Sequence, residues 1–178
     1  MSLINQLIAK KQPNTVSFYP CCSKDILETY DILSKISDLV IYCDNSTSSF
    51  KYFESIKAKV PKAIFIHDDA IKTLESLQVI DIFFYRRDSA YEGGSGLYFF
   101  GDKYFPSVVS KLNSNGALII SDGSNARGKN WSKMKRKNGF SNYGRSFIKS
   151  IDQNYLQIKG NGEVISIDVL PLNTIPID

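Results

Sequence analysis

Five apolar runs in this chain each end in a short polar cluster, and the clusters hold residues suited to gripping a small molecule. Residues 16–19 run into Pro20, Cys21, Cys22 and Ser23; residues 39–43 end at Asp44; residues 63–67 end at Asp68 and Asp69. Residues 79–85 end at Arg86, Arg87 and Asp88, and residues 117–120 end just before Asp122 and Gly123. Carboxylates accept hydrogen bonds from vicinal hydroxyls, and guanidinium groups take anions in a bidentate grip. The interval from Pro20 to Asp44 is close to the ~20 residues that separate a nucleotide-binding turn from a ribose-binding acid. A thiol near a helix N-terminus can be lowered into the nucleophilic range, which brings Cys21 and Cys22 into view.

Each of these residues also has a plain structural reading. Asp44 can simply close a strand, and Asp69 can cap the next helix. Cys21 and Cys22 are small enough to pack a tight turn. His67, the only histidine, ends an apolar run and reads as a satisfied, mostly buried side chain. The run Glu92-Gly93-Gly94-Ser95-Gly96 can present backbone N–H groups to an anion or serve as a flexible connection.

A second constellation is basic. Arg127, Lys129, Lys133, Lys135, Arg136, Lys137 and Arg145 fall in one stretch without an acid, interleaved with Trp131, Phe140 and Tyr143. The chain's formal net charge is only +4, so the rest of it is net negative. Cations among aromatics suit phosphate contact and base stacking; a solvated loop is the alternative.

The elements that must position these groups alternate. Residues 16–19 read as a strand. Residues 24–36 read as a helix from the spacing of Ile26, Leu27, Tyr30, Leu33 and Ile36, with Ser23 as its cap. Residues 39–43 are a strand, and Phe50, Phe53, Ile56 and Val60 mark a helix that Pro61 ends. Residues 63–67 are a strand, Ile71, Leu74 and Leu77 mark a helix, and residues 79–85 are a strand. After the glycine-rich loop, residues 104–112 read as a helix closed by Asn115-Gly116, and residues 117–120 as a strand. A helix around Phe147, Ile148 and Ile151 follows the basic stretch. Residues 155–159 and 164–170 read as a hairpin turned by Gly160-Asn161-Gly162. Strands without two-residue alternation, separated by helices, point to βαβ units and a parallel sheet covered on both faces.

The chain has 178 residues, 43% hydrophobic and 22% charged, which suits one globular domain over 1–178, with 1–14 as an extension and 171–178 as a tail. Three cysteines and one histidine argue against a disulfide scaffold and a histidine-rich metal site. The apolar N-terminal stretch precedes Lys10 and Lys11, the reverse of a signal peptide's order, and no run approaches the ~20 apolar residues of a membrane span. A cytoplasmic location, no membrane contact and no metal are expected.

On these positions the segment from about Thr15 to Leu170 resembles the class I S-adenosylmethionine-dependent methyltransferase fold, a three-layer, Rossmann-like, mostly parallel sheet closed by a C-terminal antiparallel hairpin. The resemblance implies S-adenosylmethionine as cofactor. It also implies cofactor contacts from the turn at Tyr19, Pro20, Cys21, Cys22 and Ser23, from Asp44 at the ribose, and from Asp68 or Asp69 near the adenine. Arg86, Arg87, Asp88 and Asp122 would face the substrate. Cys21, Cys22 and Ser23 stand where the family has glycines, so the glycine motif is degenerate. A methyltransferase-like domain binding a nucleotide-type ligand is the first expectation. The alternatives are a non-catalytic binder of a protein partner on a degenerate fold, such as an immunity protein neutralising a toxin, and a nucleic-acid-binding domain. Any pocket is expected beside Tyr19, Cys21, Asp44 and Arg86. An open pocket next to Asp44 would favour ligand binding, and a turn filled by side chains would favour the degenerate fold.

If Lys133, Lys135, Arg136 and Lys137 contact phosphates, affinity for duplex DNA should fall with salt on a logarithmic slope of roughly −3. Replacing the four with Ala should flatten that slope. Titrations at several salt concentrations test this, and absence of binding at low salt would refute it.

Overall fold

The computed structural model describes residues 7–9, 11–86, 99, 104–121, 155–160 and 163–171. Seven strands form one sheet: β1 (Val16–Pro20), β2 (Leu39–Cys43), β3 (Ala63–Ile66), β4 (Ile80–Arg86), β5 (Leu112–Ser121), β6 (Tyr155–Gly160) and β7 (Glu163–Pro171). Among the described residues, four α-helices lie between the first five: α1 (Leu27–Ile36), α2 (Thr47–Ile56, followed by a 3-10 turn at Lys57–Lys59), α3 (Ala70–Ser76) and α4 (Phe105–Lys111). The strand order is β3-β2-β1-β4-β5-β7-β6. Strands β1 to β5 are parallel. β7 runs antiparallel to β5, and β6 antiparallel to β7. The chain leaves β1 in one direction to build β2 and β3, then returns to the other side of β1 to build β4 and β5. In sheets of this topology ligands bind at such a reversal, which here falls at the carboxyl ends of β1 and β4.

Strand side chains alternate between the two faces, and both faces are apolar. Phe18, Ile41 and Phe83 pack with Leu74 of α3 and Val108 of α4. Tyr19, Tyr42 and Phe84, each one residue later, pack with Leu33 of α1 and Phe53 of α2. This is why the strands show no polar alternation in the sequence. The Phe18 and Phe83 rings meet edge to face at 6.1 Å, and those of Tyr19 and Phe84 at 4.8 Å. Ile64, on the outermost of the parallel strands, is 43% exposed, so the continuous apolar run at residues 63–67 is only partly covered.

Several boundaries differ from the sequence reading. Helix α1 starts at Leu27, its N-cap is Ile26, and no side chain caps it. Ser23 is therefore not its cap: residues 21–25 are spent on a turn closed by Asp25 N–H donating to the Cys22 carbonyl at 2.9 Å. Helix α2 starts at Thr47, ahead of the apolar spacing that Phe50 opens, and gives way after Ile56 to a 3-10 turn at Lys57–Lys59, so Val60 lies past its end. Strand β5 begins directly after α4 and includes residues 113–116, of which the sequence presents Asn115-Gly116 as a helix-closing turn. The β4–β5 register accommodates them: Ile80 faces Leu112, whereas Ile82 already faces Ala117, so the extra residues bulge from the ladder. Asn113 Nδ2 anchors the bulge by donating to Asp81 Oδ1 at 3.0 Å. The expected helix near Phe147 and the turn residues Asn161 and Gly162 lie outside the described residues.

Asp81 holds two elements at once, since its other oxygen accepts Val16 N–H at the start of β1, at 2.8 Å. Replacing Asp81 with Ala strands that amide and should cost about 1–3 kcal/mol. Leu33→Ala, at a side chain with 0% exposure, should cost about 2–5 kcal/mol. Urea unfolding should show lower midpoints with unchanged slopes for both variants.

Candidate functional site

The carboxyl ends of β1, β2 and β3 are tied together through one residue. Pro20 ends β1 level with Cys43, the last residue of β2. The chain then folds over the end of β2, where Cys22 N–H donates to the Cys43 carbonyl at 3.2 Å. Ser23 N–H donates to Asp44 Oδ2 at 2.8 Å, and Ser46 N–H to Asp44 Oδ1, also at 2.8 Å. Asp44 N–H continues the ladder to the Ile66 carbonyl of β3 at 3.2 Å. The Asp44 carboxylate thus bridges the turn after β1 and the entry to α2. It is half-buried, and each oxygen has a second lone pair beyond the amide it accepts.

The turn carries two backbone outliers. Cys21 has φ of 54° and Ser23 has φ of 51°. Both are left-handed, a conformation that glycine takes freely and that costs other L-residues roughly 1–2 kcal/mol each. The amide bonds of Cys22, Ser23 and Asp25 hold the path in place. Glycine geometry is therefore present at both positions without glycine.

Not all the sequence candidates present side chains here. Tyr19 is buried among Tyr42 and Phe84, and its hydroxyl donates to Asp25 Oδ2 at 3.0 Å. Pro20 and Cys22 are buried too. These three line the core beneath the turn, which is filled at Cys22, while Cys21 is half-buried and Ser23 exposed. Asp69 caps α3, accepting Ile71 and Lys72 N–H at 2.9 Å each. Asp68 pairs with Lys72 Nζ at 2.8 Å; the hydrogen bond holds its carboxyl below the usual range and pushes the Lys72 amine up.

His67 departs from expectation in being exposed. Its ring stacks on Phe50 with centroids 5.3 Å apart and planes 5° from parallel, and Nε2 lies 3.1 Å from the Asn45 carbonyl. The sequence reading missed this pairing and the amide of Ser46. The Asp44-Asn45-Ser46 pattern, an acid whose side chain takes the amide two residues on, is the signal that could have found the second.

Burial decides the cysteine question for two of the three. It pushes the Cys22 thiol up, helped by the negative charge of Asp44. It pushes Cys43 up to about 11, against hydrogen bonds from its Sγ to Thr73 Oγ1 at 3.3 Å and the Asp68 carbonyl at 3.5 Å. At neutral pH both are thiols packed in the core.

Arg86 is the last residue of β4, opposite Ser121 of β5, at the carboxyl end of the sheet's parallel strands. Arg87, Asp88, the glycine run, Asp122, Lys133, Lys135, Arg136 and Lys137 lie outside the described residues. Among the described residues, no group of three or more His, Cys, Asp or Glu could hold a metal ion, and no helix is long and apolar enough to cross a membrane.

By sequence, no protein-family model and no curated protein matches the chain. By structure, it is similar to a candidate O-methyltransferase from Klebsiella pneumoniae, with 13% identity and a TM-score of 0.60 over 96% of this chain and 78% of that one. It is also similar to a candidate methyltransferase from Streptococcus mutans in complex with SAH, with 12% identity and a TM-score of 0.52 over 94% and 96%. An rRNA methylase from Streptococcus thermophilus aligns with 10% identity and a TM-score of 0.52 over 94% and 93%. The chain has the class I S-adenosylmethionine-dependent methyltransferase fold. In this methyltransferase-like fold five parallel strands are followed by an antiparallel hairpin, as the sequence reading expected, with β5 starting earlier than expected.

Thiol labelling checks the site's packing. The folded protein should react quickly at one cysteine, Cys21, and at all three only in denaturant. Rapid labelling of Cys22 or Cys43 in the folded state would contradict the burial described here.

Proposed function

We propose that the carboxyl edge of β1, β2 and β3 binds a nucleoside-type ligand, S-adenosylmethionine or its demethylated product, with Asp44 accepting from the ribose hydroxyls. One observation carries this reading: the half-buried Asp44 carboxylate stands at the end of β2, oriented by two backbone amides, with acceptor capacity left over. The residues fit such a ligand at its ribose end. A carboxylate whose second partners are hydroxyls makes charge-assisted hydrogen bonds, stronger than neutral ones. Ser23 and Ser46 N–H stop it from rotating, so little entropy is lost when a diol arrives. The exposed His67 ring beside Asn45 offers a flat surface next to the acid. Similarity to a candidate methyltransferase in complex with SAH adds support.

When bound, S-adenosylmethionine supplies a methyl group activated on a sulfonium. The chain's part in such a reaction is chiefly positioning, for which methyl transfer has no need of a strong general base. Arg86 and the residues after it, at the end of β4, are the segment we assign to the substrate. Asp68 and Asp69 contribute indirectly: their bonds to Lys72 and to the start of α3 fix the chain that leaves β3.

Calorimetry with S-adenosylhomocysteine tests the reading. We expect binding, and at 100 times the dissociation constant a stability gain of about 2.7 kcal/mol. Asp44→Asn removes the charge and half the acceptors and should weaken binding at least about tenfold, or ~1.4 kcal/mol. No heat with either S-adenosylmethionine or S-adenosylhomocysteine at millimolar concentration would overturn the proposal.

A further inference from the structure

We infer that His67 is a positioning residue for Asp44, acting through the peptide group between Asn45 and Ser46. The inference rests on the reading of Asp44 given above and names what holds that carboxylate from the side of β3. Nε2 of His67 lies 3.1 Å from the Asn45 carbonyl. A carbonyl oxygen only accepts, so Nε2 is the ring nitrogen that carries the proton. At the other end of the same peptide group, Ser46 N–H donates to Asp44 Oδ1 at 2.8 Å. The C=O and N–H of a trans peptide share one rigid plane and point opposite ways. His67, the 45–46 peptide and Asp44 therefore form one chain of hydrogen bonds that ends on the carboxylate.

Hydrogen bonds in series strengthen one another, so a donor on the Asn45 carbonyl makes the Ser46 amide a better donor to Asp44. The aim of the imidazole is set by packing. Its ring stacks on Phe50 of α2, and Phe50 in turn meets Phe65 of β3 with ring centroids 5.9 Å apart. One residue before His67, the Ile66 carbonyl accepts Asp44 N–H. The end of β3 thus grips the segment after β2 twice, at the amide of Asp44 and at the carbonyl of Asn45. Ser23 N–H on Oδ2 would by itself leave the carboxylate free to turn about that contact. The second amide fixes its plane, and His67 holds the peptide that carries this amide.

The test compares His67→Phe and His67→Gln with the natural sequence in the full chain. His67→Phe keeps a ring to stack on Phe50 and removes the donor; His67→Gln supplies an N–H donor in the place of Nε2. Two readouts are taken, the Ser46 amide by NMR without ligand and the affinity for S-adenosylhomocysteine by calorimetry. Thermal unfolding reads folding separately. In His67→Phe the Ser46 amide resonance should shift and exchange faster with solvent, and affinity should fall at least about fivefold. In His67→Gln the Ser46 amide should behave as in the natural chain, and affinity should stay within about twofold. An unchanged Ser46 amide in a folded His67→Phe would overturn the inference, whatever the affinity, because no effect would then travel through the peptide. An equal loss of affinity in both variants would assign the effect to the ring and overturn it too. If Asp44→Asn still weakens binding in either case, the reading of Asp44 survives alone. A changed Ser46 amide in His67→Phe alone, with no binding by any chain, would uphold the link to Asp44 and overturn its reading as a ribose acceptor.

Discussion

A single carboxylate organises the carboxyl edge of the first three strands of this protein. Asp44 meets the amide of Ser23 from the turn after β1 and the amide of Ser46 from the entry to α2. Its own amide reaches the end of β3. Three elements far apart in the chain thus converge on one residue. The two amides are buried little, so the energetic return is modest, but the geometric return is large. The turn cannot move without giving up a charge-assisted hydrogen bond.

That tie explains the backbone of the turn. Pro20 delivers the chain at the level of Cys43, and the Cys22 amide must reach back to the Cys43 carbonyl while Ser23 turns its amide to Asp44. Left-handed residues at 21 and 23 satisfy both demands. The core below completes the arrangement. Tyr19, buried against Tyr42 and Phe84, hydrogen-bonds Asp25 just beyond the turn. Packing, ladder and turn share the same few residues, so the local strain is offset by tertiary contacts.

The pH behaviour of the described surface follows from its ion pairs. The hydrogen bond from Lys11 lowers the Asp38 carboxyl, and that from Lys72 lowers Asp68. A carboxyl lowered by folding stabilises the protein above its unfolded value, near 3.8, and the contribution is lost as pH falls through the folded value. Both groups are solvent-exposed, so the effect is small and confined to acid.

Much of the architecture was written in local pattern. Apolar runs too continuous for a half-exposed strand forced a sheet covered on both sides, and the intervening helical periodicity forced parallel connections. Leu33, Phe53 and Leu74 could be placed in the core from spacing alone. The positions of Asp44, Asp68 and Asp69 at strand ends followed from the same reasoning. What each acid does there did not, because Asp69 capping a helix and Asp44 bridging two amides are the same residue type at similar positions. The difference lies in which amides come near, and that depends on strand neighbours distant in sequence. The left-handed backbone at Cys21 and Ser23 was invisible for a related reason. Neither residue type prefers that conformation, so no local propensity announces it. Only the closure of β1 against β2, through Cys43 and Asp44, imposes it.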